Sequence, residues 1–304
     1  MFDAYDAKTG KQAWRFMTIP GPGEPGHDSW AGESWKTGGG PAWVTGAYDP
    51  ELNLVYWGVG NPAPDWNGDA RGGDNLYTCS FLALDGDSGK LRWYFQFTPH
   101  DTHDWDAAHV PVLFDAKIDG RDRKLIVSAN RNAFYYVLDR ATGEFIAGQP
   151  YAKQTWARGL DAKGHAITLP DSQPTEKGTL VWPNLNGATV WFSPSYSPLT
   201  GFFYVRFARS APCFSSPRLN TRPGHFSRGA GRMNCLGMMR GEKSAHSMPG
   251  PARQNGRSGC IHRHGRECSR QRAALFSRGQ MKAIFMLWMR GLGSRCGIFR
   301  QAAR

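Results

Sequence analysis

The chain has 304 residues, enough for one large or two ordinary domains, and a formal net charge of +12 that by itself would point to an acidic partner such as nucleic acid. The total hides two compositions. Residues 1–205 carry 17 Lys+Arg against 23 Asp+Glu, and residues 206–304 carry 20 against 2, so all the excess basicity lies in the last third.

Other residue types divide at the same place, with 11 of 12 Trp before residue 206 and five of six Cys after it. Cys79, alone in the first part, implies no disulfide framework. No basic segment followed by an apolar run opens the chain, so no signal peptide is expected and the chain as written would stay in the cytosol. The longest apolar run, AIFMLW at 283–288, is too short to span a bilayer.

In chain order, one motif occurs three times: AYDAKTGKQAW at 4–14, ALDGDSGKLRW at 83–93 and VLDRATGEFIA at 137–147. Each predicts a β-hairpin in which Asp and Thr or Ser bond local amides while Gly supplies positive φ. Trp14 and Trp93 close the first two copies and suit packing between stacked sheets. A second hairpin type with a Pro-containing turn appears at 47–57 (AYDPELNLVYW) and 195–205 (SYSPLTGFFYV). Helical periodicity is hard to find. Antiparallel repeats rich in Trp, Gly and Asp predict an all-β fold, a partial β-propeller, with a β-sandwich as the rival.

Three stretches carry candidate chemistry. In GVGNPAPDWNGDARGGDN (58–75), Asn61 is either a turn residue or a ligand, because its carboxamide oxygen is a hard, neutral donor suited to Ca²⁺. Asp65, Asn67 and Asp69 alternate like a calcium loop, but Ala70 stands where such a loop needs Gly, and a solvated polar loop is expected. His100, His103 and His109 interleave with Asp101, Asp104 and Asp106. Pro99 and the β-rich flanks argue against a helical zinc site there.

The segments DAKTGKQAWRF, GGGPAW, YDPELNLVYWGVGNPAP, GDNLYTCS, FTPHDTHDWDA and NRNAFYYVLDR resemble the pyrroloquinoline-quinone-dependent alcohol dehydrogenases of the methanol/ethanol type. The likeness covers about residues 2–205 and implies part of an eight-bladed propeller. It also implies Ca²⁺ bound by Asn61 and Asp104 beside the quinone, a lanthanide being the alternative ion. Asp104 falls at the family's catalytic base, with Asp106 the alternative if the register slips. The base accepts the alcohol proton as hydride leaves for the quinone, whose carbonyl the metal polarises. Arg131 matches the cation on the quinone oxygen, and a salt bridge to a neighbouring acid is its plainer role. Trp43 matches the ring on which the quinone stacks, where core packing is the default for a propeller Trp.

The expected reaction is oxidation of primary alcohols to aldehydes, with electrons passed to a cytochrome or quinone acceptor, in the periplasm by family. Three departures qualify it. The chain opens past the family's metal-binding glutamate and vicinal disulfide. Val190 stands where a quinone-contacting Asn is common, and apolar Val cannot replace that bond. After Val205 the sequence turns Arg-rich: 18 of its 20 basic residues are Arg, as when a gene is read out of frame.

Two domains are therefore expected: a partial propeller over 1–205, and a basic tail over 206–304 that is disordered or out of frame. CIHRHGREC at 260–268 fits no zinc spacing. The alternatives are an inactive gene remnant or a non-enzymatic β-repeat scaffold whose tail binds nucleic acid, which is not the expected partner.

Overall fold

The computed structural model describes residues 1–206 together with the backbone of three short strands, Cys213–Ser215, Asn234–Cys235 and Ile284–Trp288. The expectation of a disordered or out-of-frame tail over 206–304 otherwise lies outside the described residues. Regular structure among them is β-strand with single 3₁₀ turns, and no helix is long and apolar enough to cross a membrane.

The first motif folds as the hairpin of β1 (Phe2–Tyr5) and β2 (Gln12–Phe16). Next, β3 (Ala47–Asp49), β4 (Leu54–Gly58), β5 (Ser80–Asp85) and β6 (Leu91–Gln96) form a four-stranded antiparallel sheet in that order. A second such sheet comprises β7 (Val112–Ile118), β8 (Arg121–Ala129), β9 (Phe134–Asp139) and β10 (Phe145–Pro150). Short pieces follow: β11 (Ala157–Leu160) with β12 (Ala166–Thr168), then β13 (Thr179–Val181), then β14 (Ser195–Ser197) with β15 (Phe202–Arg206). These are blades of a partial propeller. All five expected hairpins are present, the last running one residue further, to Arg206.

The three repeated turns share one bonding scheme. Asp6, Asp85 and Asp139 each accept the amide N–H of the residue three positions on, Thr9, Ser88 and Thr142, through a side-chain oxygen. Their carbonyls accept the N–H of Gly10, Gly89 and Gly143. The glycine is required twice over, since Gly143 has φ +79 and a Cβ there would lie 2.7 Å from the Trp93 ring. Trp93 donates its indole N–H to the Arg140 carbonyl at 3.0 Å, and Trp14 does the same to Gly86 at 3.0 Å. The Trp closing one hairpin thus seats on the turn of the next, tying successive blades together.

Between the two four-stranded sheets lies a core of Tyr56, Phe81, Phe95, Phe97, Trp105, Ile126 and Tyr136. A buried ion pair crosses the same boundary. The Arg140 guanidinium donates to Asp49 at 2.5 Å and also to Asp115. Burial alone would raise the Asp49 carboxyl, yet Arg140 and the N–H groups of Glu51 and Leu52 outweigh it and hold the group below the usual carboxylate range.

A carboxylate depressed in the folded state contributes stability that is present above its unfolded value, near pH 4, and lost as pH falls through the folded value. Asp49→Asn is therefore expected to cost about 3–5 kcal/mol at pH 7 in denaturant melts, with the gap from wild type closing below about pH 4. A gap that stays constant across that range would mean the pair is not what Asp49 contributes.

Candidate functional site

Four segments converge at one end of the blades. The GGGPAW segment runs beside the loop after β4: Gly40 N–H bonds the Asn61 carbonyl at 2.8 Å, Gly60 N–H the Pro41 carbonyl at 2.8 Å, and Ala63 N–H the Gly38 carbonyl at 2.7 Å. This short ladder carries Trp43 to the neighbourhood of Asn61. Trp43 is 47% exposed, so core packing is not its role here, and its indole lies close enough to Asp106 to favour the ionised carboxylate.

The third segment is the loop after β6. Asp101 folds it locally, its carboxylate accepting the N–H of His103 at 3.1 Å and of Trp105 at 2.9 Å. The rings of His103 and Trp105 stack at 4.2 Å with 12° between planes, both buried. Each is pinned beyond the loop, His103 Nε2 to the Ser172 carbonyl and Trp105 Nε1 to the Asn184 carbonyl, both at 3.1 Å. Asp104 between them is forced to φ +61, a left-handed conformation that costs a non-Gly residue about 1–3 kcal/mol and marks a position the surroundings over-determine. Its carboxylate is thereby turned out of the core, with 25% of the side chain exposed.

Asp106 joins the segments. One carboxylate oxygen accepts the Asn61 N–H at 2.7 Å, and the other accepts Arg131 Nη1 at 2.8 Å. A Cβ on Gly60 would stand 2.4 Å from Asp106 Oδ1, so only glycine allows this approach. Arg131, in the turn after β8, also donates to the Leu185 carbonyl at 2.6 Å, and its Nη2 lies 3.9 Å from Asp104 Oδ2. The Asn61 side-chain nitrogen donates to the Pro62 carbonyl at 3.1 Å and to Asp65 at 2.9 Å. Its carboxamide oxygen accepts no hydrogen bond among the described residues.

Charge is unbalanced at Asp104. Burial pushes its carboxyl up to about 8; Arg131 pulls the other way, while Asp106, Asp101 and Asp65 add to the rise. Asp106 is also raised by burial, with Arg131 and the Asn61 N–H opposing. His109, fully buried, is pushed down to about 3 by desolvation and then by Arg131, so it is neutral. An unengaged carboxamide oxygen, on a residue tied through Asp106 and Arg131 to a carboxyl whose ionisation is disfavoured by burial and then by neighbouring acids, fits a hard cation, which would take oxygen ligands and relieve the repulsion. Among the described residues no three His, Cys, Asp or Glu side chains are grouped to hold a metal by themselves. The ion would draw on Asn61 and Asp104 and on oxygens from outside these side chains.

All four residues singled out in the sequence, Trp43, Asn61, Asp104 and Arg131, are thus linked through Asp106. The plainer reading of Arg131 is observed, a salt bridge to Asp106 at 2.8 Å, and that bridge leaves Nη2 on the Asp104 side. The histidines are not gathered: His100 binds the Gly73 carbonyl at 2.8 Å, and His103 and His109 are core residues. Residues 65–67 are half-buried, and Asp65 orients Asn61, so this loop is not simply solvated. The sequence marks Asp106 only as an alternative base and does not show that Asp65 orients Asn61 or that Asp101 folds the Asp104 loop. The position of Asp101, just after the Pro99 turn, was the available signal for a loop-folding carboxylate.

The fold is that of a partial quinoprotein-type β-propeller. Residues 1–150 match the family described as "PQQ: Glucose/ethanol/alcohol dehydrogenase, beta-propeller domain". The quinohemoprotein alcohol dehydrogenase ADH IIB of Pseudomonas putida is 43% identical over 219 residues, covering 67% of this chain and 32% of that protein. A lanthanide-dependent methanol dehydrogenase of Methylacidiphilum fumariolicum is 36% identical, covering 66% and 36%. The solved structure of a europium-containing methanol dehydrogenase superposes with a TM-score of 0.67 at 33% identity, covering 75% of this chain and 42% of that one. Through its propeller segment the chain belongs to the family of PQQ-dependent alcohol dehydrogenases, and it spans about a third of the length of the curated relatives it matches.

The two neighbouring aspartates should separate in a stability measurement. Asp106→Ala leaves the buried Arg131 guanidinium without its close partner and is expected to cost about 3–5 kcal/mol. Asp104→Asn removes a charge that burial disfavours and is expected to leave the melting temperature at pH 8 unchanged or raised. The reverse order in a thermal melt would show that Asp104 is the structural carboxylate.

Proposed function

We propose that this chain carries the quinone-side and proton-accepting half of a PQQ-dependent alcohol dehydrogenase that oxidises primary alcohols to aldehydes. The observation that carries this is Asp104, turned out of the core at positive φ, beside Arg131 and joined through Arg131 and Asp106 to the Asn61 N–H, with the Asn61 carboxamide oxygen accepting no hydrogen bond among the described residues. Electrons would pass to a cytochrome or quinone acceptor, and the location would be periplasmic, as the family resemblance implies.

Asn61 and Asp104 would hold the ion beside the quinone, Ca²⁺ by resemblance, or a lanthanide, a choice supported by the lanthanide-named relatives. When bound, the quinone and its metal supply an electrophilic carbonyl that takes up two electrons from the carbinol carbon. The chain's own residues do the rest. Trp43 presents an exposed indole face for stacking, close to the Asp106 carboxylate. Arg131, anchored by Asp106 and the Leu185 carbonyl, keeps Nη2 directed at the Asp104 side, where it would bond a quinone oxygen and offset developing negative charge.

Asp104 receives the alcohol proton on a carboxylate oxygen. Burial raises its proton affinity above that of an ordinary carboxylate, making it a better base once ionised. Arg131 and the cation then keep the ionised form populated.

The test is reconstitution of the full chain with pyrroloquinoline quinone and either Ca²⁺ or a lanthanide, assayed by ethanol-dependent dye reduction. Bound-quinone absorbance and turnover are expected in one metal arm. Asp104→Asn should lower kcat by about 10²–10⁴-fold while the quinone absorbance is retained. Because the base must be ionised, the rate should rise with pH and level off below about 8, the cation having lowered the Asp104 value. Failure to take up quinone with either metal would favour the non-catalytic alternative, an inactive remnant or a β-repeat scaffold.

A further inference from the structure

Arg71 has no exposed surface, yet its hydrogen bonds end on neutral acceptors. Nε donates to the Pro64 carbonyl at 3.2 Å, Nη1 to the Asn75 side-chain oxygen at 2.8 Å, and Nη2 to the carbonyls of Asp65, at 2.9 Å, and Asp101. Asn75 answers by donating to the Arg71 carbonyl at 2.8 Å, which fixes the arginine backbone as well. Burying a guanidinium without a directly bonded carboxylate is expensive, and an apolar side chain would be the more stabilising choice. What the planar, multi-donor fork adds is geometry, since it holds several acceptors at fixed angles simultaneously.

The acceptors lie on the two loops that carry Asn61 and Asp104. Asp65, whose carbonyl Arg71 binds, uses its carboxylate to orient the Asn61 side chain at 2.9 Å. Asp101, whose carbonyl Arg71 also binds, uses its carboxylate to hold the N–H groups on both sides of Asp104. One residue therefore stands a single hydrogen bond behind each residue that positions a site oxygen. Arg71 lies within the 58–75 stretch but between the family-like segments that end at Pro64 and begin at Gly73, so neither segment marks it.

We propose that Arg71 is the positioning residue that sets the separation of the Asn61 carboxamide oxygen and the Asp104 carboxylate, and thereby the affinity of the site for its cation. This rests on the functional reading above. A lysine at this position keeps the charge but has one nitrogen and no fork, so it cannot reach both loops at once. Outer residues that orient metal ligands typically change affinity by about 10–100-fold when removed.

The experiment titrates the full chain with Tb³⁺ alone, read by tryptophan-sensitised luminescence, which Trp43 at the site favours, together with kcat and KM of the reconstituted protein. Arg71→Lys is expected to weaken Tb³⁺ binding about 10–100-fold and to lower kcat more than it raises KM. Leu125→Ala, a fully buried change in β8, is the control for general destabilisation and should leave Tb³⁺ affinity within about twofold of wild type.

Equal losses in the two variants, or unchanged affinity in Arg71→Lys, would overturn the proposal. Should Arg71→Lys fail to fold, Asn75→Ala, which removes only one anchor of the fork, decides the matter: weaker Tb³⁺ binding supports it and unchanged binding overturns it. Wild-type protein that binds no Tb³⁺ would instead sink the functional reading itself.

Discussion

The Asp106 carboxylate is the constraint on which the arrangement of the site depends. Its two oxygens join the loop after β4, through the Asn61 N–H, to the turn after β8, through Arg131. Asp106 itself belongs to the loop after β6, so three connections meet at one side chain. Satisfying both oxygens with close donors is what makes a carboxylate at this depth tolerable. The same bonds dictate where Arg131 points and hold Gly60 so near that no Cβ would fit.

That joint functions only because the blades beneath it are rigidly spaced. Trp14 and Trp93 each seat on the glycine turn of the following repeat, and Arg140 clamps Asp49 and Asp115 across the boundary. Aromatic area and buried hydrogen bonds thus set the distance between successive loop ends. The site above concentrates groups that burial disfavours: Asp104 raised, His109 neutral and Arg71 charged without a directly bonded carboxylate. Such a combination spends stability on position, which is the pattern of functional centres rather than of cores.

How much of this the sequence revealed follows from how local each cause is. The Asp-x-x-Thr/Ser-Gly hairpins were legible because Asp, the hydroxyl residue and Gly bond within six residues, and every such hairpin is present. The stacking of Trp93 was legible as a tendency, but its partner is the Arg140 carbonyl 47 residues away, which no local pattern discloses. Asn61, Asp104, Trp43 and Arg131 stood out by family motif, and the fold places them together. Asp106 was visible only as a second acid near the first. Its role depends on the loop course that Asp101 and Arg71 impose, through bonds spanning up to 30 residues. Asp65 escaped for the same reason, its carboxylate looking like loop solvation until the Asn61 amide was found on it.

The most direct measurement is a crystal structure of the full chain grown with pyrroloquinoline quinone and a lanthanide, with the ion located by its anomalous scattering. The arrangement described above predicts one anomalous peak within about 2.3–2.6 Å of both the Asn61 carboxamide oxygen and an Asp104 carboxylate oxygen, with the quinone stacked on Trp43. Quinone bound on Trp43 with no peak there, or a peak held by other residues while the Asn61 oxygen remains unengaged, would contradict it.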